Sequence, residues 1–126
     1  MTRKIISTDN APGAIGPYSQ GVVTGNLLFT SGQLPIDTAT GKIPEGPIEE
    51  RAHLVFKNLA AIAEAAGTSL DRAVKTTVFL ADMNDFAAVN GVYAEYFKEP
   101  FPARSAIQVA ALPLGADVEV EAVFEL

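Results

Sequence analysis

The sequence predicts an α+β domain in which one β-sheet carries two helices on one of its sides. Two segments repeat their apolar residues at helical spacing. Two C-terminal segments alternate polar and apolar residues as strands do, and Gly- and Pro-containing turns separate the pieces. At 126 residues the chain suits a single domain, 1–126, and a domain that long buries roughly two-thirds of its unfolded surface.

Turn signals stand at Pro12-Gly13, Gly16-Pro17, Gly25-Asn26, residues 41–44 and Gly46-Pro47. Residues 18–24 and 27–31 read as strands joined by Gly25-Asn26, a pair suited to a hairpin. Residues 48–66 are the clearest helix, with Ile48, Ala52, Val55, Leu59, Ile62 and Ala66 on one face. Pro47 fits a helix start, Glu49 and Glu50 favour its positive end, and Gly67 can stop it. Glu49, His53, Lys57 and Glu64 lie opposite, which makes His53 solvent-facing. Residues 73–80, rich in Val, Thr and Phe, form a well-buried strand. A second helix covers about 83–98, with Phe86, Val89, Tyr93 and Phe97 on one side and Pro100 ending it.

Strands are expected at 103–109 and 117–126. In the last, Val118, Val120, Ala122, Phe124 and Leu126 share one face, and Asp117, Glu119, Glu121 and Glu125 the other. In the preceding strand Ile107 and Val109 form the apolar face, opposite Arg104, Ala106 and Gln108. With the apolar faces under the helices, the other side of the sheet carries both Arg104 and Glu119.

Composition excludes several functions. Apolar residues make up 48% and charged residues 19%, which is globular rather than disordered. Nine basic against fifteen acidic residues give a net charge of −6, and Arg3-Lys4 is the only adjacent basic pair. Phosphate neutralisation needs a clustered positive footprint, so nucleic acid is not the expected partner. The absence of cysteine removes disulfides, thiolate nucleophiles and thiolate-bound metals. His53 is the sole histidine, so neither a Ser-His-Asp triad nor a histidine metal site can be assembled. Gly-rich phosphate fingerprints are missing. The N-terminal ten residues lack a signal-peptide core and no apolar run approaches bilayer length, so a soluble, cytoplasmic protein without membrane partners is expected.

Catalysis must then use Arg, Glu, Tyr, Ser and backbone groups. Arg104 can hold a carboxylate through two parallel hydrogen bonds, although a surface or inter-subunit ion pair is the ordinary role of such a residue. If the last two strands pair antiparallel, one register sets Arg104 opposite Glu119. Another separates them by four residues, roughly 13 Å, and Glu121 competes on the same face. Tyr18 follows a rigid Gly-Pro, so its phenol is either a donor to substrate or part of a core or rim tyrosine. Ser31-Gly32 places a hydroxyl and an unobstructed amide at a strand end.

On these residues the sequence resembles the reactive intermediate deaminase (RidA/YjgF) family over almost the whole chain. The matching stretches are Ala14-Ile15-Gly16-Pro17-Tyr18-Ser19-Gln20, Thr30-Ser31-Gly32-Gln33-Leu34-Pro35, residues 58–67, residues 74–80 and 82–86, and Val89-Asn90. The most specific is Phe101-Pro102-Ala103-Arg104-Ser105-Ala106-Ile107-Gln108-Val109, continued by residues 110–113 and then Val118-Glu119-Val120-Glu121-Ala122.

The resemblance implies a chorismate-mutase-like mixed sheet, a homotrimer with interface active sites, and no cofactor. It also implies hydrolytic deamination of enamine and imine acids such as 2-aminoacrylate and 2-iminobutyrate to 2-oxo acids and ammonia. Arg104 then corresponds to the carboxylate ligand, Glu119 rather than Glu121 to the proton-handling acid, and Tyr18, Ser31, Gly32, Phe86 and Asn90 to pocket positions. Ala106 stands where some relatives have cysteine, so only its backbone can serve here. Two competing readings remain: a non-catalytic sensor of small carboxylates, and a ribonuclease or translation inhibitor, which the net charge disfavours.

Overall fold

The computed structural model describes residues 2–126. Chain order is β1 (Arg3–Ile6), β2 (Gly21–Thr24), β3 (Leu27–Thr30), α1 (Ile48–Ala65), β4 (Ala73–Leu80), α2 (Phe86–Tyr96), β5 (Ala103–Gln108) and β6 (Val118–Glu125). The strands form one mixed six-stranded sheet in the order β1-β2-β3-β6-β4-β5. The α+β class and the two helices on one side match the sequence expectation. Among the described residues no helix is long and apolar enough to cross a membrane.

Local chemistry sets the elements. The β2–β3 hairpin pairs Thr24 with Leu27 across a two-residue turn, and Gly25 takes the positive φ of 58° that such a turn requires at its first position. In α1, Pro47 is the extended residue before the first turn, where Glu49 and Glu50 meet the positive end. The helix closes in a Schellman arrangement: Thr68 N–H donates to Ala63 O, Gly67 N–H donates to Glu64 O, and Gly67 sits at φ 85°. Val55, Phe56, Leu59 and Ile62 are fully buried, each contributing about 1.5–3 kcal/mol.

Helix α2 is shorter than the sequence suggests. It ends at Tyr96, because Phe97 turns extended and drives its ring into the core. That ring stacks on Tyr93 at 4.4 Å and meets Phe56 edge-on at 5.7 Å. His53 is only partly solvent-facing: its side chain stays 35% exposed, while its Nδ1 lies 2.8 Å from the Tyr96 hydroxyl of the second helix.

Three features depart from the sequence reading. Strand β1 carries no strand signal of its own; it is a short edge pairing with β2. Residues 18–20 belong to a loop rather than to β2, because Gln20 turns inward. Its side-chain amide accepts from Thr8 N–H at 2.7 Å and donates to the carbonyls of Thr8 at 3.0 Å and Pro12 at 2.8 Å. Finally, β5 and β6 are not neighbours. Strand β4 lies between them, antiparallel to β6 and parallel to β5, with α2 as the crossover that a parallel pair requires.

That topology decides the faces. Arg104 pairs with Thr76, which pairs with Ala122; both partners are buried beneath the helices. Glu119 pairs with Phe79, which pairs with Ile107. Thr76 and Phe79 are three residues apart on one strand, so their side chains point oppositely. The expectation that Arg104 and Glu119 share the helix-free side is therefore overturned, as is the placement of Ile107 under the helices. Arg104, Ala106 and Gln108 face the helix side, whereas Ile107, 45% exposed, lies on the open side with Glu119.

Candidate functional site

The candidate residues fall into two groups on opposite sides of the sheet. On the open side, a cleft of about 470 Å³ is lined by Tyr18, Ser31, Gly32, Gln33, Leu114 and Glu119, among others. Backbone pairing assembles it. Gln33 N–H donates to Val120 O at 2.8 Å and Val120 N–H donates to Gln33 O at 3.2 Å, which clips the Ser31-Gly32 corner beside Glu119. Glycine at the corner is what lets the carboxyl sit there: a Cβ at position 32 would overlap Glu119 Oε2 and lie 2.8 Å from its Cδ. Ser31 is fixed through both backbone and side chain, its N–H donating to Gln20 O at 2.9 Å and its hydroxyl to Ser19 O. Tyr18 projects from the rim, 52% exposed.

Burial raises the pKa of Glu119 above its ordinary value, and the nearby negative charge of Glu121 adds to the effect. Among the described residues no lysine or arginine lines the cleft. The result is a carboxyl group able to hold or release a proton closer to neutrality than a solvated glutamate, beside a phenol and a hydroxyl.

On the helix side, β5 and α2 frame a second cleft of about 450 Å³ lined by Asn90, Tyr93, Ala94, Phe101, Pro102 and Arg104, with Phe97 at its base. Arg104 Nη1 donates to Asn90 Oδ1 at 2.6 Å. The guanidinium carbon stands 4.7 Å from the Tyr93 ring centre and 5.3 Å from that of Phe86. Tyr93 is held in turn by a 2.8 Å hydrogen bond between its hydroxyl and that of buried Thr76. Aromatic faces and one amide orient the guanidinium, and no acidic residue lines this cleft among those described, which leaves N–H donors for an incoming anion. Ala106 lies two residues along the same face, half-buried opposite Val78.

Over nearly its whole length the chain resembles known proteins. The family model described as Endoribonuclease L-PSP matches residues 8–125. The chain belongs to the RidA/YjgF/RutC family. RutC family protein y4sK of Sinorhizobium fredii is 57% identical over 121 residues, covering 96% of each chain. A human 2-iminobutanoate/2-iminopropanoate deaminase is 50% identical over 123 residues, covering 98% of this chain and 90% of the relative. Among solved structures, a protein of the conserved Rid family from Yersinia pestis, described as of unknown function, superposes with a TM-score of 0.96. It is 46% identical and covers 99% of this chain and 100% of the other.

Within this Rid-family fold, two residues that build the clefts escape sequence reasoning. Gln20 reads only as part of a motif, yet its amide ties down the loop carrying Tyr18. Tyr93 reads as an apolar helix residue, and its ring supports Arg104. Among the described residues no group of three or more His, Cys, Asp or Glu side chains is placed to hold a metal.

Proposed function

We propose that the protein hydrolyses small 2-imino acids, and the enamines in equilibrium with them, to 2-oxo acids and ammonia. The observation that carries this reading is the half-buried Glu119 carboxyl, its pKa raised, set against Gly32 beside Tyr18 and Ser31. The deaminase name carried by a relative half identical to this chain supports it.

The substrate enters as CH2=C(NH2)–COO⁻ or its higher homologue and tautomerises to the imine CH3–C(=NH)–COO⁻. Water adds to the imine carbon: the C–O bond forms as the C=N π bond breaks, and one water proton passes through Glu119 to the imine nitrogen, giving the neutral carbinolamine. In the collapse Glu119 takes the remaining hydroxyl proton and delivers it to nitrogen, the C=O bond forms, the C–N bond breaks, and NH3 leaves a 2-oxo acid. One group thus serves as base and then as acid, a role worth about 10²–10⁴-fold. Tyr18 and the Ser31 hydroxyl are placed to hold the water or the imine nitrogen. The substrate is already reactive, so positioning supplies much of the remainder.

The described residues of one protomer supply no carboxylate anchor in the Glu119 cleft. We place it in a neighbouring copy: Arg104, with Asn90 and Phe86, closes the Glu119 cleft of the adjacent subunit in a homotrimer. The open face of the sheet supports such association, because Ile5, Phe29 and Ile107 stand there 57%, 44% and 45% exposed. Approach of the guanidinium would draw the Glu119 pKa down, and the substrate carboxylate, by neutralising that charge, would restore it. A ribonuclease activity, suggested by the family description, is opposed by the net charge of −6.

The test begins with an enzymatic source of 2-aminoacrylate and measures pyruvate release above the spontaneous rate. Arg104→Ala and Glu119→Gln are each expected to abolish the acceleration. Co-refolded together, the two variants regenerate one intact site per mixed trimer, so activity returns. Activity absent from the wild type would reject the deaminase. Wild-type activity with no recovery on mixing would reject the shared site.

A further inference from the structure

The Glu119 cleft is larger than a three-carbon acid requires. Such a molecule fills about 100 Å³, a few times the liquid volume of one water, against about 470 Å³ available. The cleft also runs on into a second depression of about 320 Å³, and the two share Pro12, Gly13, Ile15, Ile36 and Leu114. Tyr18, Ser31 and Glu119 line only the first of them. Tyr18, Ser31 and Glu119 stand at the reactive end, the wall shared by the two depressions is apolar, and the far depression adds Thr38 and Asp9.

Leu114 is the unusual member of that wall. The turn from Pro113 to Ala116 is closed by a 3.1 Å hydrogen bond, and both of its central residues have positive φ, Leu114 at 59° and Gly115 at 68°. Glycine, asparagine or aspartate occupy such positions without strain, whereas a branched aliphatic residue there is an outlier. Strain of this kind persists where the side chain has work at a site. Core packing does not explain it, since Leu114 is 69% exposed, and Ile15 across the shared wall is 90% exposed.

We propose that Leu114 and Ile15 form a side-chain selector, so that the protein prefers imino acids bearing aliphatic side chains of about four carbons over acidic ones. This rests on the deaminase reading above. With the reacting carbon held at Glu119, the substrate side chain extends along that shared apolar wall and excludes water from Leu114 and Ile15. A carboxylate side chain would be desolvated there with no lysine or arginine among the described lining residues to receive it. Asp9, at the rim of the far depression, adds a further negative charge against it.

The experiment generates imines in place by oxidising alanine, leucine and glutamate with amino-acid oxidases, and follows 2-oxo acid formation above the spontaneous rate. For the wild type, kcat/KM for the leucine-derived imine should exceed that for the glutamate-derived one at least tenfold. Leu114→Asn suits the left-handed turn and keeps the fold, while replacing apolar wall with amide. It should lower the leucine-to-alanine ratio of kcat/KM about tenfold and raise Tm. Ile15→Ala, outside the strained turn, should lower the same ratio. Turnover of the alanine-derived imine with poor turnover of the leucine-derived one would overturn the selector and leave the deaminase standing. So would an unchanged ratio in both variants, or a loss of oligomer in Leu114→Asn in its place. Acceleration of none of the three would remove both proposals.

Discussion

Replacing Gly32 with alanine tests whether the Glu119 cleft is a catalytic site. The added methyl overlaps Glu119 Oε2 and falls 2.8 Å from Cδ, where two carbons need about 3.5–4.0 Å, so the carboxyl must retreat by about 1 Å. A displacement of that size at a reacting group costs about 100-fold, equivalent to about 2.7 kcal/mol of barrier. Stability should change little, because Glu119 is only half-buried and can swing toward the open face. The assay is pyruvate release from 2-aminoacrylate at fixed enzyme concentration, paired with thermal unfolding. Gly91→Ala is the matched control. Gly91 lies exposed within α2, and its added methyl would meet nothing within 4 Å, so alanine should retain full activity and add about 0.5–1 kcal/mol of stability. A Gly32→Ala protein with wild-type kcat/KM would refute the assignment of Glu119 as the proton carrier.

Three further outcomes are expected. Glu119→Gln should be inactive, and in an Arg104→Ala background, where no neighbouring guanidinium offsets the burial, it should raise stability at neutral pH. The raised folded-state pKa means that ionised Glu119 opposes folding above the ordinary glutamate pKa and costs nothing below it, so the Tm advantage should vanish in acid. Asn90→Ala frees the guanidinium of its 2.6 Å partner while leaving the Tyr93 and Phe86 faces; KM should rise roughly tenfold, with a smaller change in kcat. Gln20→Leu abandons the Thr8 N–H and the Thr8 and Pro12 carbonyls, costing about 1–3 kcal/mol, and hydrogen exchange should quicken through residues 8–18.

The helices are legible because their signal is local. The Ile48-to-Ile62 stripe, Glu49 and Glu50 at the start and Gly67 at the stop lie within one segment, and α1 forms where they place it. The alternation of β6 is equally plain: Val118, Val120, Ala122 and Phe124 are all buried. Periodicity fails at β5. Ile107 looks like a core residue, but β5 is an edge strand that sets Ile107 beside Phe79 on the open face, where Phe29 and Ile5 stand in a separate row across the sheet. Apolar side chains on both faces of the sheet make the inward side of β5 unreadable from its own residues.

The amino-acid sequence by itself determined the alternation within β5 and β6, the two helices, the α+β class and the chemical types available for a site. The tertiary structure alone decided that β4 inserts between β5 and β6, and with it that Arg104 and Glu119 occupy opposite sides of one chain. A strand's period states which residues travel together. Which side they face is set by the hydrogen-bond register with a partner strand, and that partner is chosen by packing contacts between residues distant in sequence.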